Sequence, residues 1–273
     1  MRGRLRRLAF GLATVVGAPR GFFIPHRHAA GVRPGPYPAL EPSFRAAHAS
    51  IEAVLEAIEA HAGDLAAVPE RGPARFDQDW FPRLDAAAAY ALVRRERPAR
   101  IVEVGSGHST RFLAQAVRDS GLATEILCID PAPRAALAGL PVRHEPRLLQ
   151  DVGHDPFEAL GPGDILFVDS SHVAMPGSDV DRIFLDVLPR LAGGVLVHVH
   201  DVFLPDSYPP EWAWRGYGEQ LLVGALLQGR GYEVVFPSRY AATRLPDRLA
   251  AGVLARLPLV PGALETSLWL RKL

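Results

Sequence analysis

From Arg100 onward the chain alternates short apolar runs with stretches whose apolar residues recur at helical spacing. IVEVG (101–105), EILCID (125–130), DILFVD (164–169) and GGVLVHVHD (193–201) are nearly continuous in apolar character. That is what strands covered on both faces look like. Between them, STRFLAQAVRDS (109–120), closed by Gly121, DVDRIFLDVLPRLA (179–192) and GEQLLVGALLQGRG (218–231) predict helices. PAPRAALAGL (131–140) predicts a short helix and PVRHEPRLLQD (141–151) part of a strand; YEVVFPSRY (232–240) and ETSLWLRKL (265–273) add two more strands. Strands alternating with helices predict an α/β fold with a mainly parallel sheet and helices on both faces.

The region before Arg100 reads differently. Residues 19–42 are rich in proline, glycine and aromatics and predict irregular chain. Ile51, Val54, Leu55 and Ile58 predict a helix over 43–62, stopped at Gly63; 66–79, with Pro69 and Pro73, reads as a linker; a helix over about 84–96 ends before Pro98. The chain thus divides into an extension over 1–75, irregular then helical, and a main domain over 76–273. The opening MRGRLRRLAFGLATVVGAP sets a basic run before a short apolar one, as secretory signals do, but no small-x-small cleavage site follows in RGFFIPHRH. The apolar run is shorter than the roughly 20 residues a bilayer span takes. A terminal amphipathic helix is the better reading, which implies a cytoplasmic protein without stable membrane insertion. Weak contact with an anionic membrane surface through Arg2, Arg4, Arg6 and Arg7 is compatible with it.

Composition narrows the classes. With 273 residues and 48% hydrophobic, the chain has ample material for a core. Acids and bases balance at 30 each, so net charge gives no nucleic-acid footprint. Cys128, the single cysteine, excludes an intrachain disulfide and a thiolate metal cluster.

The candidate chemistry starts at RIVEVGSGHST (100–110). Gly105 and Gly107, without Cβ atoms, would let a ligand touch the backbone where the first strand turns into a helix. A dinucleotide loop would want a third glycine where Thr110 stands. Glu103 would repel a pyrophosphate and attract a ligand carrying an ammonium group, such as S-adenosylmethionine. Asp130, at the end of the next strand, can accept both hydroxyls of a ribose, a property shared by NAD sites.

EVGSG with its downstream acid resembles the first motif of class I S-adenosylmethionine-dependent methyltransferases. The ordered set FDQDWFPRLD, RIVEVGSGHST, CIDP, GDILFVDSSHV, GSDV and HVHDVFLP, over about residues 75–240 with a weaker likeness in GFFIP, resembles a bacterial, O-methyltransferase-like branch of that family. The resemblance implies a Rossmann-like fold with a seven-stranded, mostly parallel sheet, and methylation of a small-molecule or sugar hydroxyl. It implies that Glu103 holds the donor's amino group, directly or through water, that Gly105 and Gly107 give room to its carboxylate and sulfur, and that Asp130 binds the ribose. It places Gln150 and Asp151 at the adenine.

Two polar clusters end apolar strands: Asp169, Ser170, Ser171 and His172, then His198, His200 and Asp201. Strand alternation puts His198 and His200 on one face. A hydroxyl acceptor needs a base, a metal or both, and His172 suits a base. Asp169, which is also placed for a cofactor contact, could share Mg2+ or another divalent cation with His200 and Asp201. The layout resembles catechol-type O-methyltransferases, with histidine where those have lysine and a His-Asp pair where they have an acid and an amide. His198 reads as a core residue. FLPDSYPPEWAWRGYGEQ (203–220), with Trp212, Trp214 and Tyr217, reads as a substrate wall, with the N-terminal helix and Trp80-Phe81 on the other side. Three readings stay open beside methyl transfer: an NAD-linked oxidoreductase, a non-catalytic adenosyl-ligand-binding protein, and an iron site of two histidines and a carboxylate. A homo-oligomer is compatible with all of them.

Overall fold

The computed structural model describes residues 2–16, 27–28, 31 and 33–273. GFFIP (21–25), which carries part of the resemblance, lies outside them. The helices are α1 (Arg2–Val16), α2 (Glu41–Ala46), α3 (His48–Ala60), α4 (Ala62–Arg71), α5 (Arg83–Glu96), α6 (His108–Asp119), α7 (Asp155–Glu158), α8 (Asp179–Arg182), α9 (Leu188–Arg190), α10 (Glu219–Gln228), α11 (Ser238–Arg244) and α12 (Pro246–Leu249). The strands are β1 (Arg100–Val104), β2 (Glu125–Ile129), β3 (Arg143–Glu145), β4 (Ile165–Val168), β5 (Leu196–Val199), β6 (Tyr232–Pro237) and β7 (Leu268–Lys272).

They form one seven-stranded sheet in the order β3-β2-β1-β4-β5-β7-β6, parallel except for β7, which runs antiparallel between β5 and β6. This is the Rossmann-like, mostly parallel sheet the resemblance implies. β1, β4 and β5 present apolar side chains to both faces, and Ile101, Ile165, Phe167, Val197 and Trp269 are fully buried. The order reverses between β1 and β4, so the crevice at their carboxyl ends is the expected ligand position.

Three local expectations are corrected. The helix predicted over 43–62 is broken into α2 and α3, and Gly63 does not end it: α4 runs on through Pro69. Leu65 and Val68 are buried in the core, and that burial outweighs the poor local propensity. The helix expected within 131–140 is absent; the segment is bends and turns, with Pro131, Pro133 and a left-handed Gly139 (φ +81°) breaking any regular run. Helices α11 and α12 follow β6, where only a strand was expected. Within 179–192 a π-helical turn, Ile183–Val187, sits before Pro189. Proline has no N–H for the carbonyl of residue 185 and its ring would press on it; the widened turn eases that conflict.

Helix α3 buries Ile51, Val54, Leu55 and Ile58 and contacts both α5 and β6, so the helical part of the extension shares the core of the sheet.

Candidate active site

β1, β2, β4 and β5 all end at one edge, and the polar residues that follow them converge there. The junction is tight. Gly105 has φ +82°, and a Cβ on it would lie 1.9 Å from the carbonyl oxygen of Asp169. The space expected for a ligand beside this glycine is therefore filled by the chain leaving β4. Gly105 welds the first turn to the cluster after β4, and only glycine allows both that approach and that backbone angle. A Cβ on Gly107 would make ordinary contacts with Arg134 and Ala135 at 3.5 Å.

Glu103 lies beneath this turn, fully buried. Its two oxygens accept hydrogen bonds from the hydroxyls of Ser109 and Thr110, both at 2.6 Å, with the Cys128 thiol at 3.3 Å. Burial pushes its pKa up to about 7 against the pull of these donors. Here the carboxylate braces the first turn of α6 and does not face open solvent. Asp130 bridges the turn from the side: it accepts from the Ser106 backbone at 2.7 Å and hydroxyl at 3.0 Å, and from the Ala132 backbone at 2.8 Å. A carboxylate has about four acceptor positions, so a partly exposed Asp130 retains capacity for one more donor. Two buried polar atoms beside the turn have no partner, His108 Nδ1 and Ser170 Oγ. Such atoms mark where a ligand or water completes the bonding.

Gln150 and Asp151, both exposed, sit in the 3-10 turn Leu149–Asp151 after β3. Gln150 donates to the Gly177 carbonyl at 3.0 Å and lines an open groove of about 310 Å³ with Ser178, Asp181 and Arg182. Asp151 is not part of that lining.

The second centre is a knot of charges. His172 Nε2 lies 3.3 Å from Asp169 and 3.5 Å from Asp201, while its Nδ1 donates to Glu219 at 2.8 Å. His200 Nδ1 lies 3.6 Å from Asp169 and 3.7 Å from Asp201, and its Nε2 lies 3.4 Å from Asp85. Burial alone would lower both imidazoles; for His172 the hydrogen bonds of Asp169 and Glu219 and the nearby charges reverse this, raising its pKa well above the usual range. For His200 the charges of Asp169 and Asp201 do the same. Burial would raise Asp169, but His200 and His172 hold it well below the carboxylate range. These shifts favour the imidazolium form of both rings beside their carboxylates, and a protonated His172 is a base only after it loses a proton.

His172 and Asp201 adopt left-handed backbone angles, φ 60° and 55°. Such angles cost energy that the surrounding contacts supply. The His172 carbonyl accepts from the backbone N–H groups of Gly218 and Glu219, at 2.9 and 3.2 Å, which fixes the loop to the start of α10.

The imidazole and carboxylate donors expected to hold Mg2+ are thus brought together, but they do not fit that ion. Mg2+ prefers an octahedron of oxygens, whereas His200, one of the three, offers an imidazole already engaged with Asp85, Asp169 and Asp201. Among the described residues, no group of three or more His, Cys, Asp and Glu is arranged to hold a metal ion.

Sequence reasoning missed Asp85 and Glu219. Asp85 is fully buried in the first turn of α5 and accepts from the backbone N–H groups of Thr266 and Ser267, both at 2.9 Å, ahead of β7. The only signal was an acid in a helix first turn, which the helix dipole favours anyway. His198 is a core residue, as expected: it is stacked on Phe167, 3.6 Å between ring centroids, bonded to Ser267 at 2.8 Å, and held neutral by burial.

The loop after β5 covers the charge knot. Tyr217 packs on His172, 4.7 Å between centroids, and Arg215 lies 3.8 Å above the Trp212 ring and 3.8 Å from Asp201. Phe81 is buried against His200 at 5.6 Å, while Trp80 is half-exposed under Arg134 of the loop after β2.

Residues 102–202, which span the turn, Asp130, Asp169, His172 and His200-Asp201, match a family model described as a methyltransferase domain. The match favours methyl transfer over the NAD-linked reading. No curated protein matches the chain significantly. Among solved structures, a Podospora anserina methyltransferase, PaMTH1, bound to S-adenosylhomocysteine, is 18% identical, with 93% of this chain and 99% of that one covered and a TM-score of 0.46. The O-methyltransferase TomG of Streptomyces achromogenes, involved in tomaymycin synthesis and complexed with S-adenosylmethionine, is 20% identical over 69% of this chain and 79% of that one, TM-score 0.43. A structure described as cmcI-D160 with Mg and SAM is 17% identical over 67% of this chain and 68% of that one, TM-score 0.39.

Proposed function

We propose, from the match of residues 102–202 to a methyltransferase domain and from the order of the sheet, that the chain is a class I S-adenosylmethionine-dependent methyltransferase that transfers the donor's methyl group to a hydroxyl of a small molecule or sugar. One observation carries the reading: the Asp169 carbonyl is packed against Gly105, so the donor turn and the charge knot share a wall. The donor would lie along the carboxyl ends of β1 and β2. Asp130 takes its ribose, Ser170 and His108 supply unpaired polar atoms, and Gln150 and Asp151 flank the adenine end. Glu103 acts from beneath, by shaping the turn through Ser109 and Thr110, rather than by touching the ligand. The bound donor supplies an already activated methyl group.

The protein's part is then to place the acceptor and take its proton. Asp169, 27% exposed, is the open end of the knot, and His172 and Asp201 stand behind it. His172, held by Glu219 on Nδ1, first releases its Nε2 proton to solvent; the neutral ring then receives the hydroxyl proton on Nε2, and the three surrounding carboxylates stabilise the imidazolium so formed. The aromatic loop closes the site and excludes water. Because the donor set does not fit Mg2+, no step here is routed through a metal.

Turnover of S-adenosylmethionine against a panel of hydroxylated acceptors, with and without chelator, tests the reading. Turnover that survives chelation, and that His172→Ala abolishes while S-adenosylhomocysteine still binds, is the expected result. Full turnover in His172→Ala, or stabilisation of the protein by NAD alone, would overturn it.

A further inference from the structure

Residues 1–40 contain seven arginines and neither Asp nor Glu; the first acid is Glu41. Since the whole chain balances at 30 and 30, residues 41–273 carry 23 basic and 30 acidic residues, and the two parts have formal charges of +7 and −7. An even total conceals a strongly polar molecule. Much of the positive part lies on α1, where Leu5, Leu8, Leu12 and Val15 recur at helical spacing with Val16 beside them. All five are between 56% and 80% exposed. At 100° per residue, positions 2 and 4 border that stripe on its two sides and positions 6 and 7 fall on the opposite face. α1 contacts the 3-10 turn Pro210–Arg215 of the loop over the site, and its leucine stripe points away from the body into solvent.

We propose that α1 is an in-plane docking helix for an anionic phospholipid bilayer. A narrow apolar stripe bordered by arginines, on a helix of low overall hydropathy, matches the boundary between acyl chains and charged headgroups. A span is excluded for this segment, since no helix among the described residues is long and apolar enough to cross a membrane. A second copy of the chain is a poorer occupant, because pairing two stripes would bring eight arginines of like charge together. A nucleic acid would neutralise the arginines but leave the leucines in water. The negative body would be repelled by an anionic surface, so the docking is confined to the N-terminal helix and is sensitive to salt.

Sedimentation of the full chain with phosphatidylcholine vesicles, with and without about 30% phosphatidylglycerol, tests this without any measure of methyl transfer. Binding is expected to the anionic vesicles only, weakening as salt rises. Arg2→Gln with Arg4→Gln is expected to weaken it roughly 30-fold, at about 5-fold per arginine. Leu8→Asp with Leu12→Asp is expected to lower it at least about tenfold, with an unchanged melting temperature as the control for folding. Equal binding to both vesicle types, no binding at low salt, or unchanged binding in either variant would overturn the proposal. So would a dimer or a DNA complex, lost in the variants, in a protein that ignores vesicles.

Discussion

Replacing Glu103 by glutamine should change how stability depends on pH more than it changes stability itself. The side chain is wholly buried and burial raises its pKa from 4.5 to about 7. Between those values the folded protein holds a proton that the unfolded chain has released, so stability falls as pH rises through the window. Across pH 5 to 8 the loss from this one group comes to about 2.5 kcal/mol, taking 1.36 kcal/mol per pKa unit as an upper bound. Glutamine keeps the shape, can accept one hydroxyl of the Ser109–Thr110 pair and donate to the other, and does not titrate. Other groups also respond: the raised His172 and His200 lose stabilisation above the ordinary histidine range, and the depressed Asp64 and Asp169 lose theirs under acid conditions. The difference between wild type and Glu103→Gln cancels them. Urea unfolding followed by circular dichroism at pH 5 and pH 8 should show the variant gaining about 2 to 3 kcal/mol on the wild type over that interval. A gap that stays the same at both pH values would refute the claim that this acid is held partly protonated under the turn.

Two further outcomes follow from the same edge of the sheet. Gly105→Ala should destabilise the fold by about 3 kcal/mol or more and abolish S-adenosylhomocysteine binding, through the forced left-handed angle and the clash with the Asp169 carbonyl; calorimetric titration with an otherwise normal melting curve would speak against it. Glu219→Gln removes a charge that supports protonated His172 at 2.8 Å, so the alkaline rise in turnover should move to lower pH; an unmoved profile would remove His172 as the titrating base.

The strands around the site were legible because parallel strands covered on both faces have to be largely apolar, and the runs at 101–104, 126–129, 165–168 and 196–199 are so apart from Glu103 and His198. The convergence of Asp169, His172, His200 and Asp201 followed from placing the ends of β4 and β5 side by side. Their protonation did not, because Asp85 and Glu219 come from helices 115 and 47 residues away from the histidines they hold. Nothing in RLDAAAAY or GEQLLVG distinguishes a buried site acid from one that merely suits a helix start. The part played by Gly105 was half visible: the glycine was evident, but the group pressed against it belongs to a strand some sixty residues on. Pro69 misled for the opposite reason, since local chemistry argued for a break and the burial of Leu65 and Val68 decided otherwise.

The place of β7 governs the order in which this protein can mature. It is the last strand in the sequence, yet it is inserted between two earlier ones, β5 and β6. The Thr266 hydroxyl meets Asp201 at 3.1 Å, and the two residues leading into it anchor Asp85. While a ribosome is still making residues 265–272, the earlier strands lack their wedge and His200 lacks a fixed carboxylate behind it. The edge that carries the candidate site therefore cannot close until residues 265–272 have joined the sheet, as a consequence of topology.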